Sequence, residues 1–210
     1  KLNKYCQLIE NPYRHDIVLT NLIYNKNVDL ILKHLIDEDY VLVNSTIVNR
    51  QIDNSVNNKG MNMGDKWHTD SHYVGGKRLD KGFTYIVVTL FDEFSYQNAG
   101  TYYIPKSFLK RSKPKRSGYE KKKKLMTGKR GSIIIFDGGM WHKGGEPTKN
   151  RRWSMFSYYG PWFVKPFFRF PEMLGKKFGK NTTKEMRRLF HYNSTPPLNE
   201  DISRNTVIKE

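Results

Sequence analysis

Cysteine is almost absent from this chain: Cys6 is the only one in 210 residues, so no intrachain disulfide can form and a reducing, intracellular setting is the default. Long apolar runs are absent as well. Nothing approaches the roughly 18–20 consecutive apolar residues of a membrane-spanning helix, and residues 1–10 lack the apolar core of a secretion signal, so a cytoplasmic protein is expected. There are no internal repeats and no long low-complexity tracts, and the length suits one domain occupying residues 1–210. Acidic residues are scarce, 20 against 37 Lys and Arg, which leaves a net charge of +17.

What is present is a polar, aromatic-rich sequence. Only 37% of residues are hydrophobic and mean hydropathy is −0.73. The 14% aromatic content compensates, because each Phe, Tyr or Trp buries a large area, and a folded chain follows. The positive charge is concentrated. Residues 106–130 hold twelve Lys or Arg and one Glu, a local balance of +11, leaving +6 for the rest. Lying between two core strands, this segment reads as a basic insertion, with Ser112, Pro114 and Ser117 in it. A run such as Lys121 to Lys124 is most often a solvated loop, and the alternative is a surface for an anionic substrate or a nucleic acid.

Helical spacing of Val28, Leu30, Ile31, Leu35 and Ile36 predicts a helix over about 27–36, followed by a strand at 40–43. Residues 49–65, rich in Asn, Gly and Asp, read as a loop leading into Trp67 and His68. Strands are expected at 83–91, 101–104, 132–136 (a buried type) and 153–159, each bounded by Gly, Pro or Asp. A last amphipathic helix at about 183–192 carries Met186, Leu189 and Phe190, within a C-terminal helical segment at 172–210. Many short strands with Gly-rich turns predict a mainly β fold of sandwich or jelly-roll type. Trp162, Phe163, Phe167, Phe168 and Phe170 are expected to pack as core or lid.

Two side chains that bind metals, His68 and Asp70, stand two residues apart, and on a strand such residues point the same way. His142, after the strand at 132–136 and a Gly-Gly turn, can be presented to the same point. Two His and one carboxylate on one face leave three coordination positions open, the arrangement of non-haem iron oxygenases. Arg152 and Ser154 form a second pair at strand spacing. A guanidinium fork grips a carboxylate bidentately, and a neighbouring hydroxyl adds a hydrogen bond. Alternation would put Arg152, Ser154, Phe156 and Tyr158 on one face, with Arg151, Trp153 and Met155 on the other. His72 is read as a neighbour of the metal site, Trp67 and Trp141 as packing that steadies the histidines, and Asp137 as a stabiliser of the Gly-Gly turn.

In this order, His-x-Asp, a distant His and Arg-x-Ser resemble the 2-oxoglutarate oxygenases built on a double-stranded β-helix, and within them the phytanoyl-CoA dioxygenase family. Asn98-Ala99-Gly100 and then Ile104-Pro105-Lys106-Ser107-Phe108 are similar to the family's Asn-Gly turn and Pro-Gly-Ser-His segment. The segment from Gly131 through Asp137-Gly138-Gly139 to His142 resembles its approach to the second His. Arg187-Arg188-Leu189-Phe190-His191-Tyr192 with Pro196-Pro197 resembles its tail. The chain departs from the pattern at Lys106 and Phe108, where Gly and His are frequent, and at Gly144, where some members have Ser. The spacing from His142 is one residue shorter than in some members, which leaves Arg151 open beside Arg152.

The resemblance implies a jelly-roll (cupin-like) fold with flanking helices, and Fe(II), 2-oxoglutarate and dioxygen as the reacting set. It implies His68, Asp70 and His142 as metal ligands and Arg152 with Ser154 as the 2-oxoglutarate anchor. It further implies hydroxylation of a small molecule, an anionic one being among the candidates, with succinate and CO2 released; Asp70 favours this over halogenation, since related halogenases lack that carboxylate. Two other readings stand beside it. One is the same chemistry on a nucleic acid or another polyanion; the other is a β-barrel nucleic-acid-binding protein without catalysis.

Overall fold

The structure, a computed structural model, describes residues 2–3, 6–50, 66–71, 73–74, 77–78, 83–110, 112–115, 118–149 and 151–194. Most of the expected loop at 49–65, His72 and Pro196-Pro197 lie outside the described residues. The chain forms two compact units, one of Lys1–Glu10 with Thr46–Phe156 and one of Asn11–Ser45 with Ser157–Glu210.

The first unit is built of short antiparallel strands. These are β1 (Leu2–Asn3), β2 (Cys6–Glu10), the second half of β3 (Val41–Arg50), β4 (Tyr73–Val74), β5 (Lys77–Arg78), β6 (Tyr85–Leu90), β7 (Thr101–Tyr103), β8 (Lys124–Leu125), β9 (Ile133–Asp137), β10 (His142–Gly144) and the first part of β11 (Arg152–Gly160). Three sheets result, in the orders β1-β2-β3-β11-β6-β9, β10-β7-β8 and β4-β5. β6 and β9 are rich in β-branched residues, which suit a pleated surface, and they pair with Ile86 opposite Phe136 and Val88 opposite Ile134. Ile86, Val88 and Leu90 are buried, whereas Ile133 is exposed. The strand expected to be of the buried type is therefore an edge strand, last in its sheet. The basic segment is more than a loop: it contains a short 3-10 turn (Ser107–Leu109) and β8, which pairs with β7.

β3 runs to Arg50, well beyond the strand expected at 40–43, because the residues that extend it (Ser45, Thr46, Asn49 and Arg50) are polar yet buried. β11 begins at Arg152 and is buried on both faces. Its alternation holds for Arg152 and Ser154 but fails beyond, where Met155, Ser157 and Tyr159 are buried and Phe156 and Tyr158 only half-buried.

The second unit holds the helices α1 (Lys26–Leu35), α2 (Phe170–Asn181) and α3 (Lys184–Leu189). Asn25 caps α1 by accepting from the N–H groups of Asn27 and Val28 at 3.0 and 3.2 Å, and Thr183 caps α3 by accepting from Met186 at 3.3 Å. α2 is kinked at Gly175, whose φ of 78° only glycine adopts easily. Rings of this unit meet edge to face: Phe190, just after α3, lies 5.1 Å from Tyr13 of the 3-10 turn before α1 and 5.5 Å from Phe170 at the start of α2. The aromatic cluster after β11 is only partly core. Phe170 is buried, but Trp162, Phe163 and Phe167 are exposed, because Pro161 and Pro166 hold that stretch out of regular structure. Among the described residues no helix is long and apolar enough to cross a membrane.

Candidate metal centre

His68 and His142 are joined through their backbones. Each N–H donates to the other's carbonyl at 3.0 Å, forming an isolated antiparallel bridge. His68 is thus not on a regular strand as expected, and His142 opens β10 rather than hanging from a loop. Asp70 is placed by a different contact: its N–H and that of Ser71 both donate to the Gly138 carbonyl, at 2.8 and 3.0 Å. Gly138 belongs to the Gly-Gly turn, which Asp137 steadies by accepting from the Gly139 N–H at 2.6 Å. A Cβ at Gly138 would lie 2.8 Å from the Thr84 carbonyl oxygen, so glycine is what lets this turn seat Asp70.

The three side chains converge. His142 Nε2 lies 3.3 Å and His68 Nε2 3.7 Å from the two Asp70 oxygens, and the imidazole centroids are 4.2 Å apart. This is the one group of at least three His, Cys, Asp or Glu among the described residues whose ligand atoms come within 4.8 Å of one another. Both Nδ1–H groups donate to backbone carbonyls, His68 to Lys66 at 2.7 Å and His142 to Met140 at 2.8 Å. A carbonyl only accepts, so the proton is fixed on Nδ1 and the Nε2 lone pair faces the cluster. Phe136 packs edge-on against His142 at 5.1 Å.

Burial sets the charges. It disfavours a charged His142, but the adjacent Asp70 carboxylate outweighs that and raises its pKa. Burial, reinforced by the charge of His142, lowers the pKa of His68 despite Asp70. Burial acts upwards on Asp70, yet the two imidazoles overcome it and its pKa is lowered. The donor set fits a divalent first-row metal. Two imidazole nitrogens and a carboxylate are what Fe(II) takes in a facial site, and cis ligands ~2.1 Å from a metal stand ~3.0 Å apart. Exposure rises from His142 to Asp70 to His68, 5, 18 and 31% of each side chain, so the cluster opens towards His68.

Arg152 is 1% exposed and Ser154 fully buried. Its Nε donates to the Ala99 carbonyl at 2.7 Å, one Nη donates to Ser154 Oγ at 2.8 Å, and the guanidinium carbon lies 3.8 Å from the centre of the Phe94 ring. The carbonyl is aimed by the Asn98-Ala99-Gly100 turn, in which Ala99 has a φ of 63° and Asn98 accepts from the Ser95 N–H at 2.8 Å. That turn continues into β7, which pairs with β10, and the Gly145 N–H donates to the Gly100 carbonyl at 3.0 Å. Arg151 is exposed. Lys106 holds a φ of 58°, the left-handed conformation that glycine at that position would take without strain. Its neighbour Ser107 accepts from the Trp141 N–H at 2.8 Å, beside His142.

One residue of this region was not foreseen. Arg50, at the end of β3, is 5% exposed, and its guanidinium lies where a Cβ at Gly144 would stand, 2.0 Å from Nη2. Gly144 was the one available signal, since a side chain there would displace Arg50.

The sequence matches the family model described as phytanoyl-CoA dioxygenase (PhyH) over residues 6–153. No curated protein sequence matches significantly. Among solved structures it is similar to EvdMO1, with TM-score 0.52 and 13% identity over 74% of this chain and 35% of that one. It is similar to EctD from S. alaskensis with bound Fe, with TM-score 0.58 and 18% identity over 77% of this chain and 60% of that one. It is also similar to HygX from Streptomyces hygroscopicus with nickel, 2-oxoglutarate and hygromycin B bound, with TM-score 0.59 and 10% identity over 81% of this chain and 77% of that one. The chain therefore spans about a third of the length of EvdMO1 and less than two thirds of EctD. At such identities the likeness establishes the fold, a mainly β jelly roll of the cupin-like, double-stranded β-helix kind.

Proposed function

The chain belongs to the phytanoyl-CoA dioxygenase family of non-haem iron, 2-oxoglutarate-dependent oxygenases, and from that premise we propose that it hydroxylates a small molecule. In this reaction one atom of dioxygen enters the substrate C–H bond and the other enters succinate, as 2-oxoglutarate loses CO2. The observation that carries the reading is the convergence of His68 Nε2, Asp70 and His142 Nε2, with both Nδ1 atoms tied to carbonyls.

His68, Asp70 and His142 would hold Fe(II), which when bound supplies dioxygen activation. Asp70 brings a negative charge that its lowered pKa preserves at neutral pH. The Nδ1 locks fix the tautomer, so the neutral form of each imidazole presents its Nε2 lone pair to the cluster. Arg152 would take the far carboxylate of 2-oxoglutarate. The Ala99 carbonyl, Ser154 and the Phe94 ring fix its planar fork, so little side-chain entropy is lost on binding. HygX, which shares the fold, holds 2-oxoglutarate together with hygromycin B, which supports a small-molecule substrate. The lysines near the histidine-bearing segments favour it too. Lys110 and Lys143 lie over tryptophan rings, and Lys123 and Lys143 both reach Glu120, so part of this region's charge is engaged within the protein.

The test is succinate formation from 2-oxoglutarate with Fe(II) under air, alongside anaerobic Fe(II) titration. Turnover in the wild-type chain and its loss in His68→Ala and Asp70→Ala are expected. No Fe(II) binding by the wild-type chain would sink the reading.

A further inference from the structure

The residues immediately before the two histidines, Trp67 and Trp141, are 5% and 4% exposed and form a small core with Ile104. Successive side chains of extended backbone point to opposite faces. At the His68–His142 bridge the imidazoles therefore take one face and the tryptophans the other. One ring from the basic segment packs against both indoles. Tyr119 meets Trp67 at 5.5 Å and 73° and Trp141 at 5.2 Å and 60°.

Tyr119 is itself held on both sides. Its hydroxyl accepts from the Lys115 N–H at 2.9 Å, and its carbonyl accepts from the N–H groups of Lys122 and Lys123 at 2.9 and 3.0 Å. Lys110 and Lys143 close over the same indoles, 5.0 and 5.4 Å from the ring centres. The basic segment is thus anchored through Tyr119 on the back of both histidine-bearing segments, while Lys121, Lys122 and Lys124 stay exposed.

We propose that Tyr119 is a positioning residue for the metal centre: by packing against both Trp67 and Trp141 it helps to set the separation of the His68 and His142 nitrogens. The inference rests on the metal-site reading above. Sites of this kind tolerate about 0.5 Å of displacement, and a ring packed against both indoles governs movement on that scale. Its effect reaches the metal through the tryptophans that precede the two histidines.

The experiment is titration of the full chain with Co(II) alone, read by its visible d–d absorption, for wild type, Tyr119→Ala, Tyr119→Phe and Leu109→Ala. Leu109 lies in the same segment and is 69% exposed. Tyr119→Ala is expected to weaken Co(II) binding about 10- to 100-fold, the usual cost of losing an outer support of a metal site, and to shift the absorption bands at saturation. Tyr119→Phe keeps the ring and stays within about twofold of wild type, as does Leu109→Ala. If Tyr119→Ala does not fold, Tyr119→Leu, which restores volume without a ring, is judged by the same criterion. A folded variant whose Co(II) affinity and bands match wild type overturns the proposal, even if its Tm is lower. Failure of the wild-type chain to bind Co(II) would instead overturn the oxygenase reading beneath it.

Discussion

Two carboxylates, Asp29 buried and Asp70 half-buried, sit in different company. Asp29, in the helical unit, accepts from the Tyr40 hydroxyl at 2.7 Å and Arg188 at 2.8 Å, with Lys33 at 3.2 Å. Asp70, in the strand unit, faces two imidazoles at 3.3 and 3.7 Å. Arg188 and Lys33 are permanent cations, so the charge of Asp29 is neutralised at any ordinary pH. Burial opposes its ionisation, but Tyr40 and the two cations prevail and its pKa is lowered. The partners of Asp70 carry charge only when protonated, and their Nε2 lone pairs can serve a metal instead. One acid is closed by fixed charges; the other is surrounded by groups whose charge is optional, which suits the ligand role proposed for it.

The sharpest test of that contrast exchanges the two acids' losses. Asp70→Ala is expected to abolish succinate formation while urea unfolding of the metal-free chain stays close to wild type. Asp29→Ala leaves the half-buried Arg188 without its carboxylate and is expected to cost up to about 3 kcal/mol in the same unfolding experiment. An Asp70→Ala variant destabilised as much as Asp29→Ala would erase the distinction. Next in size, Arg152→Lys keeps the charge but loses the planar fork, and the KM for 2-oxoglutarate should rise about 10- to 100-fold in steady-state kinetics. Arg188→Lys should leave that KM unchanged and lower stability alone.

Gly138→Ala comes third. Its Cβ would meet the Thr84 carbonyl at 2.8 Å and Ser71 Oγ at 3.0 Å, a crowding expected to cost about 1–3 kcal/mol and to disturb the seat of Asp70. Calorimetry gives the first effect and Co(II) affinity the second.

The smallest effect concerns His191. It is buried and donates from Nε2 to the Leu42 carbonyl at 2.7 Å; burial outweighs that bond and lowers its pKa. Below about pH 6.5 the unfolded chain binds a proton that the folded one refuses, so stability falls as the pH drops from there towards the depressed folded value. The slope is at most about 1.4 kcal/mol per pH unit, and His191→Gln should flatten it in urea melts between pH 7 and 5. A slope unchanged in the variant would assign it elsewhere.

How much of this is legible in the sequence depends on the kind of residue. β6, β7 and β9 were foreseen to within two residues, and α1 to within one, because their apolar residues follow a simple period. β3 was cut short because its second half is buried but polar, and α2 was blurred because Pro171 and Gly175 interrupt its pattern. The histidines, Asp70, Arg152 and Ser154 could be named because metal and carboxylate chemistry restricts residue type. What joins them could not be read. The Gly138 and Met140 carbonyls, the Ala99 turn and the Tyr119 packing act through backbone groups or generic rings, which no spacing rule marks.

The paired backbone hydrogen bonds between His68 and His142 have a consequence for thermodynamics rather than geometry. The two residues lie at the ends of a long stretch of chain, and closing a loop of that size costs about 4 kcal/mol of entropy. The strand bridge meets that cost when the protein folds. A metal held by these two histidines, as proposed, would therefore spend none of its binding energy on gathering distant ligands, and its affinity would be that of a site already assembled.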